Sequence, residues 1–196
     1  IICEYVDDAF SGPKLKPKDP LIQAHMRLWT KMVDEEVHPS VRPITYVATH
    51  RHKIMEQSPE EVEEHIENDP DPFWRARKRG WIYDGFNAPD VKIAIQLFDK
   101  LLGDMETSLQ DSEWLVSNEY TLADTALTPY INRLEMLSLM KMWDKRPNVA
   151  RWFENVKSRP SFQSAIFEYL PEELRTFMIE NGKKAWPQYK RMLNLD

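Results

Sequence analysis

The sequence is short of several things, and each shortage narrows what it can be. It has a single cysteine, Cys3, so an internal disulfide is excluded and a reducing, cytoplasmic setting is the simplest inference. It has five glycines in 196 residues, too few for a turn-rich β architecture. No apolar run approaches the roughly 20 residues that span a bilayer, and no signal-peptide pattern is present. Basic charge is in deficit, 26 Lys and Arg against 32 Asp and Glu. The net charge of −6 argues against general nucleic-acid binding, which shows as a basic surface. His50 and His52 stand two apart and so do not share a helical face, and no cysteine cluster or H-E-x-x-H accompanies them. No metal site is expected.

What is present suits a helical globular protein. Hydrophobic residues make up 42% and charged residues 30%, and seven Trp, seven Tyr and eight Phe supply large side chains for a core. Fourteen prolines are many for a helical chain and predict numerous helix starts and kinks.

"IICEYVDDAF" opens the chain with an amphipathic helix that has no start signal. "SGPKLKPKDP" breaks the periodicity and reads as a linker. Asp19 and Pro20 then fit the N-cap and first position of a long helix, with Ile22, Met26, Trp29, Met32/Val33 and Val37 as its stripe. Pro39 and Pro43 are expected to interrupt or kink it, with "ITYVATHRHKIMEQ" continuing beyond. Ser58 and Glu61 form a capping box before an acidic run that reads as a solvated face. The basic "RARKRG" after it reads as its intramolecular counterpart. "NAPDVKIAIQLFDKLLGDMETSLQ" is the clearest amphipathic helix, with Asn87 as cap, Asp90 at N3, and Val91, Ala94/Ile95, Phe98, Leu101/Leu102, Met105 and Leu109 along one side. A helix from about Leu122 has Ala126, Tyr130, Leu134 and Leu137 as expected core positions. Val149, Trp152, Phe153 and Val156 mark a short helix, and Gly182 is a candidate stop for another. No strand and no repeat is evident, so the reading is all-α.

In "EYTLADTALTPYINRLEML", Thr121 can cap the helix while Asp124 reaches back to the cap's own N–H, worth about 1 kcal/mol and structural in itself. Together with the long kinked helix before it and "RPNVARWFENVKSRPSF" after it, this box resembles the C-terminal domain of cytosolic glutathione transferases over roughly residues 19–170. Thr125 at N4 departs from the pattern, since an apolar partner for Tyr120 would be stronger there. The start, "IICEYVDDAF…LKPKDP", is similar to the last helix of that family's thioredoxin-like domain and its linker. Within the family it looks closest to bacterial β-etherase-like transferases, which cleave aryl ethers in lignin-derived compounds.

The resemblance implies a glutathione-transferase C-terminal-like helical bundle over 19–196, a linker over 11–18, and at 1–10 the last helix of a thioredoxin-like domain that is mostly absent. It implies glutathione as cosubstrate, a hydrophobic electrophile with an aryl ether among the candidates, detoxification chemistry and a homodimer. The catalytic residue is expected upstream of Ile1, so the chain alone should have little activity, and the apolar face of the first helix should be exposed at Ile1, Ile2 and Tyr5 or covered by residues missing from the chain. Cys3 reads as a buried apolar cysteine. The family's layout makes Trp29, Val33, Tyr46 and His50 candidate pocket residues on the kinked helix, and Trp186 and Tyr189 candidates near the C-terminus; packing into the protein's own core is the alternative for each. A non-catalytic interaction or scaffold domain is the competing functional reading.

Overall fold

Asp19 starts the first long helix as its sequence predicts. Its carboxylate accepts from the backbone N–H groups of Leu21 (2.8 Å) and Ile22 (3.1 Å), with Pro20 at the first helical position. In this computed structural model, which describes residues 1–195, the helix α2 (Pro20–Met32) leads into a π-helical turn (Val33–Val37), α3 (His38–Thr45), a second π-helical turn (Tyr46–His50) and α4 (Arg51–Ile54). Pro39 and Pro43, expected to interrupt or kink the helix, do not end it, and it continues to Ile54 as expected. A proline removes one i→i−4 bond and crowds the turn before it. Here a widened turn lies on each side: the His38 N–H reaches back to Val33 O, and the Arg51 N–H to Tyr46 O.

Before this helix lies α1 (Ile2–Ala9); after it come α5 (Pro59–Glu67), α6 (Pro72–Tyr83), a 3-10 turn (Gly85–Asn87), α7 (Pro89–Ser108) and α8 (Leu122–Met136). A 3-10 turn (Met140–Trp143), α9 (Pro147–Lys157), α10 (Pro160–Phe162), a π-helical turn (Gln163–Phe167) and α11 (Glu172–Met192) complete the order. There is no strand among the described residues, and the fold is all-α. The Ser58–Glu61 capping box is formed in both directions, at 2.9 and 3.3 Å.

The chain divides into two compact units. One comprises Ile1–Pro39, Lys100–Arg133 and Met140–Leu170; the other Ser40–Asp99, Leu134–Leu139 and the segment from Pro171 on. In the first, Trp152 and Phe153 of α9 stack at 6.2 Å and Phe162 meets Phe153 edge-on at 6.3 Å, all three buried. α9 has no cap of its own. The Glu106 carboxylate of α7 accepts from the Val149 N–H (3.0 Å) and the Asn148 side chain (2.9 Å) and serves as one. In the second unit, Ile54, Val62, Ile66 and Ile82 form a cluster under Tyr46.

Several expectations need correction. The buried stripe of α8 is Ala123, Leu127, Ile131 and Leu134, so Leu134 is placed as read while Ala126 and Tyr130 are only half-buried; Tyr130 shares a hydrogen bond with His38 Nδ1 at 3.0 Å. Asn87 lies in the 3-10 turn, and Asp90 is taken by Arg77 and Trp81, so the two do not form a cap for α7. Gly182 does not stop a helix but sits inside α11. A Cβ there would lie 2.0 Å from the Leu137 carbonyl oxygen, so glycine is needed for backbone approach. Cys3 is exposed, because no residue of α1 is buried. The stripe read on α7 is buried throughout.

Candidate functional site

The second π-helical turn carries Tyr46 and His50, and it brings their rings to 5.8 Å. The Tyr46 hydroxyl shares a hydrogen bond with His65 Nε2 of α5 at 2.9 Å, and its ring lies 5.4 Å from that of Trp81 on α6. The Trp81 indole N–H is fixed by Asp90 (2.7 Å), which also takes Arg77 Nε at 2.9 Å. Arg42 stacks over Trp74 at 4.3 Å, and Trp74 lies 6.3 Å from Trp81. Tyr46 is therefore half-buried in an aromatic wall whose second face is the aliphatic cluster.

Burial drives the Tyr46 phenol far above its ordinary range, so it keeps its proton at neutral pH. Burial, with Lys78 and His50 nearby, lowers His65 and favours the neutral imidazole. A neutral His65 whose proton is on Nδ1 accepts from the phenol. The wall thus offers aromatic faces and one hydroxyl, suited to an aryl group with a polar substituent.

The remaining candidates are placed differently. Trp186 is half-buried on α11. Tyr189, one turn on, is wholly buried; its hydroxyl donates to the Ile44 carbonyl at 2.5 Å, and its ring meets Phe86 at 5.3 Å. Trp29 is half-buried and Val33 buried, both in the unit that begins at Ile1. His65 and Trp81 were not foreseen. Their sequence signal is faint, a histidine inside an acidic run and a tryptophan closing a basic one. Those two runs pair with each other: Arg79 binds Glu63 (2.7 Å) and Glu67 (3.0 Å). No group of three or more His, Cys, Asp or Glu able to hold a metal occurs among the described residues. None of their helices is long and apolar enough to cross a membrane. A separate cleft of about 480 Å³ in the first unit, bordered by Leu15, Tyr120, Thr128, Arg159 and Phe162, contains none of the predicted residues.

The family model for the glutathione S-transferase C-terminal domain matches residues 45–160, more than half of the chain. The chain belongs to that family. Protein LigF of Sphingobium sp. strain SYK-6 is 29% identical over 185 residues, 89% of this chain and 70% of LigF. The crystal structure of that beta-etherase superposes with a TM-score of 0.74 over 85% of this chain and 71% of its own. A tetrachloro-p-hydroquinone reductive dehalogenase of Sphingobium chlorophenolicum is 28% identical over 83 residues, 42% of this chain and 32% of the dehalogenase. At 18% identity, glutathione transferase E6 of Drosophila melanogaster shares the fold, with a TM-score of 0.56 over 93% of this chain and 66% of its own.

In this glutathione S-transferase C-terminal domain the "TLAD" box is more than a local cap. Asp124 Oδ2 accepts from the Thr121 backbone N–H (2.9 Å) and hydroxyl (3.1 Å), and Oδ1 from the Leu115 N–H (3.0 Å) and the Trp152 indole (2.8 Å). The Thr121 hydroxyl in turn accepts from the Ala123 N–H at 3.2 Å. Burial raises the Asp124 carboxyl, and these four donors pull against that rise. The network is structural: it ties the start of α8 to the loop before it and to α9.

Proposed function

We propose that this chain contributes the electrophile-binding helices of a glutathione transferase whose substrates are hydrophobic aryl ethers. The observation that carries this reading is the similarity to the beta-etherase LigF over 85% of the chain at a TM-score of 0.74. In such a reaction a C–S bond forms between glutathione and the carbon bearing the aryloxy group. The C–O bond breaks, and the aryloxide leaves with the electron pair and takes up a proton. Tyr46 and His50 are the proposed contacts to the aryl ring. With its proton on Nε2, His65 would donate to the Tyr46 oxygen and leave the phenol proton to be donated to the ether oxygen as charge develops there. Trp186 is a third proposed contact in the same unit, and Trp29 and Val33 are proposed contacts in the other. Tyr189 would act from behind, by fixing the carbonyl of Ile44 just before Tyr46. The glutathione-binding residues, and the group that activates the thiol, are assigned to no described residue. A homodimer and a reducing compartment belong to the same proposal.

The test uses the product of the full gene, incubated with glutathione and a β-aryl ether that releases a fluorescent phenol. Phenol release matched one-for-one by glutathione loss is the expected result, with Tyr46→Phe lowering kcat/KM about tenfold to a hundredfold. No ether cleavage, no conjugation of 1-chloro-2,4-dinitrobenzene and no retention on glutathione-agarose would together replace the enzyme with a non-catalytic interaction domain.

A further inference from the structure

Arg159 lines the cleft in the first unit and has no counter-charge among the described residues. Its guanidinium carbon lies over the Tyr120 ring, 3.7 Å from the centroid, with the Trp114 ring at 5.8 Å. Stacking occupies the face of a guanidinium and leaves its in-plane N–H groups to be satisfied at the edge. Among the described residues no carboxylate pairs with it, and its buried Nε finds no acceptor. Unsatisfied buried donors are uncommon and costly.

The lining complements that cation in a specific way. Leu15, Val156, Phe162 and Ile166 give apolar walls, and no acidic side chain borders the space. Four hydroxyl-bearing residues border it, Tyr120, Ser161, Thr125 and Thr128; the two threonines have spent their protons, Thr125 on the Thr121 carbonyl (3.1 Å) and Thr128 on the Asp124 carbonyl (2.7 Å). The free lone pairs of Thr125 and Thr128 can only accept. The cleft therefore offers one anion-binding fork, apolar walls and hydrogen-bond acceptors, in a volume of about 480 Å³ that lies in the range of small-molecule sites.

We propose that this cleft binds an aromatic carboxylate, with Arg159 as its counter-ion and the apolar walls around its rings. A lone guanidinium with no lysine beside it fits a planar monoanion, which it can grip with two parallel hydrogen bonds. A phosphate dianion would call for further cations. A ring hydroxyl on the ligand would find Thr125 or Thr128 as acceptor. The site is distinct from the Tyr46 wall and does not rest on the transferase reading.

Isothermal titration of the full chain, without glutathione, compares 2-naphthoate with 2-naphthamide, which has the same rings and no charge. The expected result is at least tenfold tighter binding of naphthoate. Arg159→Gln should weaken naphthoate by about tenfold to a hundredfold and leave naphthamide unchanged, since charge-assisted hydrogen bonds carry the difference. Ala165→Trp, which fills the cleft from an exposed position and keeps Arg159, should abolish binding of both while the circular dichroism stays helical; it decides the matter if Arg159→Gln does not fold. Equal affinities for the two ligands, or naphthoate binding untouched by a folded Arg159→Gln or Ala165→Trp protein, would overturn the proposal and leave the transferase reading as it was.

Discussion

Asp124 receives four hydrogen bonds from the Thr121 backbone and hydroxyl, the Leu115 N–H and the Trp152 indole, all at 2.8–3.1 Å. A carboxylate is the only side chain of this size that can accept on both edges. In Asp124→Asn one edge becomes an NH₂ aimed at two donors, which leaves buried groups unpaired. The expected cost is about 3 kcal/mol, read as a lower urea midpoint with an unchanged slope. Trp152→Phe removes one donor only, and about 1 kcal/mol is expected from it. Gly182 is the other residue whose identity is forced. Alanine would favour the helix by about 1 kcal/mol, but its methyl would meet the Leu137 carbonyl at 2.0 Å, and backbone cannot swing aside as a side chain can. Gly182→Ala should therefore destabilise by about 2 kcal/mol, with a fall in Tm of about 5 °C.

Among the helices, α1 differs from the rest in what holds it. None of its residues is buried, and Ile2 (77%), Tyr5 (63%) and Val6 (48%) stay open to solvent. Its attachments are polar: Glu4 grips Arg27 of α2 through two bonds of 2.7 and 2.9 Å, Asp7 accepts from the Leu15 N–H at 2.7 Å, and Asp8 pairs with Lys16. Exposed pairs of this kind contribute at most about 1 kcal/mol each and are screened by salt. The Arg27 hydrogen bonds hold the Glu4 carboxyl below its usual 4.5. The docked state thus binds fewer protons than the free one; its stabilisation is present above pH 4.5 and is lost as pH falls through the lowered value. Amide exchange, corrected for intrinsic rates, should show α1 opening in 1 M NaCl or below pH 4 while α7 stays protected, and Arg27→Met should open it at neutral pH. Protection of α1 that is indifferent to both would mean that apolar packing holds it.

For the molecule as a whole, the proposed homodimer predicts sedimentation at twice the mass of one chain, a measurement independent of catalysis. The all-α class was legible in the sequence, because 3.6-residue periodicity and caps are local properties. Asp19, Ser58 and the stripe on α7 are where those signals place them. The family was legible as well, since "TLAD" and "RPNVARWFENVKSRPSF" are contiguous strings. Other features depended on partners distant in sequence. The phase of the α8 stripe is set by which neighbours cover it, so Leu127 and Ile131 are buried rather than Ala126 and Tyr130. Gly182 has the composition of a stop signal, and only the Leu137 backbone against it makes it a packing residue. Of the candidate pocket residues, Tyr46 and His50 were named from the family's layout and lie one turn of helix apart; His65 and Trp81, which meet Tyr46 from α5 and α6, were not named. Nothing in "RPNVARWFENVKSRPSF" singles out Arg159, because the absence of a counter-charge among the described residues is a fact about space. The sequence by itself determined the helices and the family. Tertiary structure alone decided which side chains lack partners, because burial and pairing depend on residues far apart in the chain.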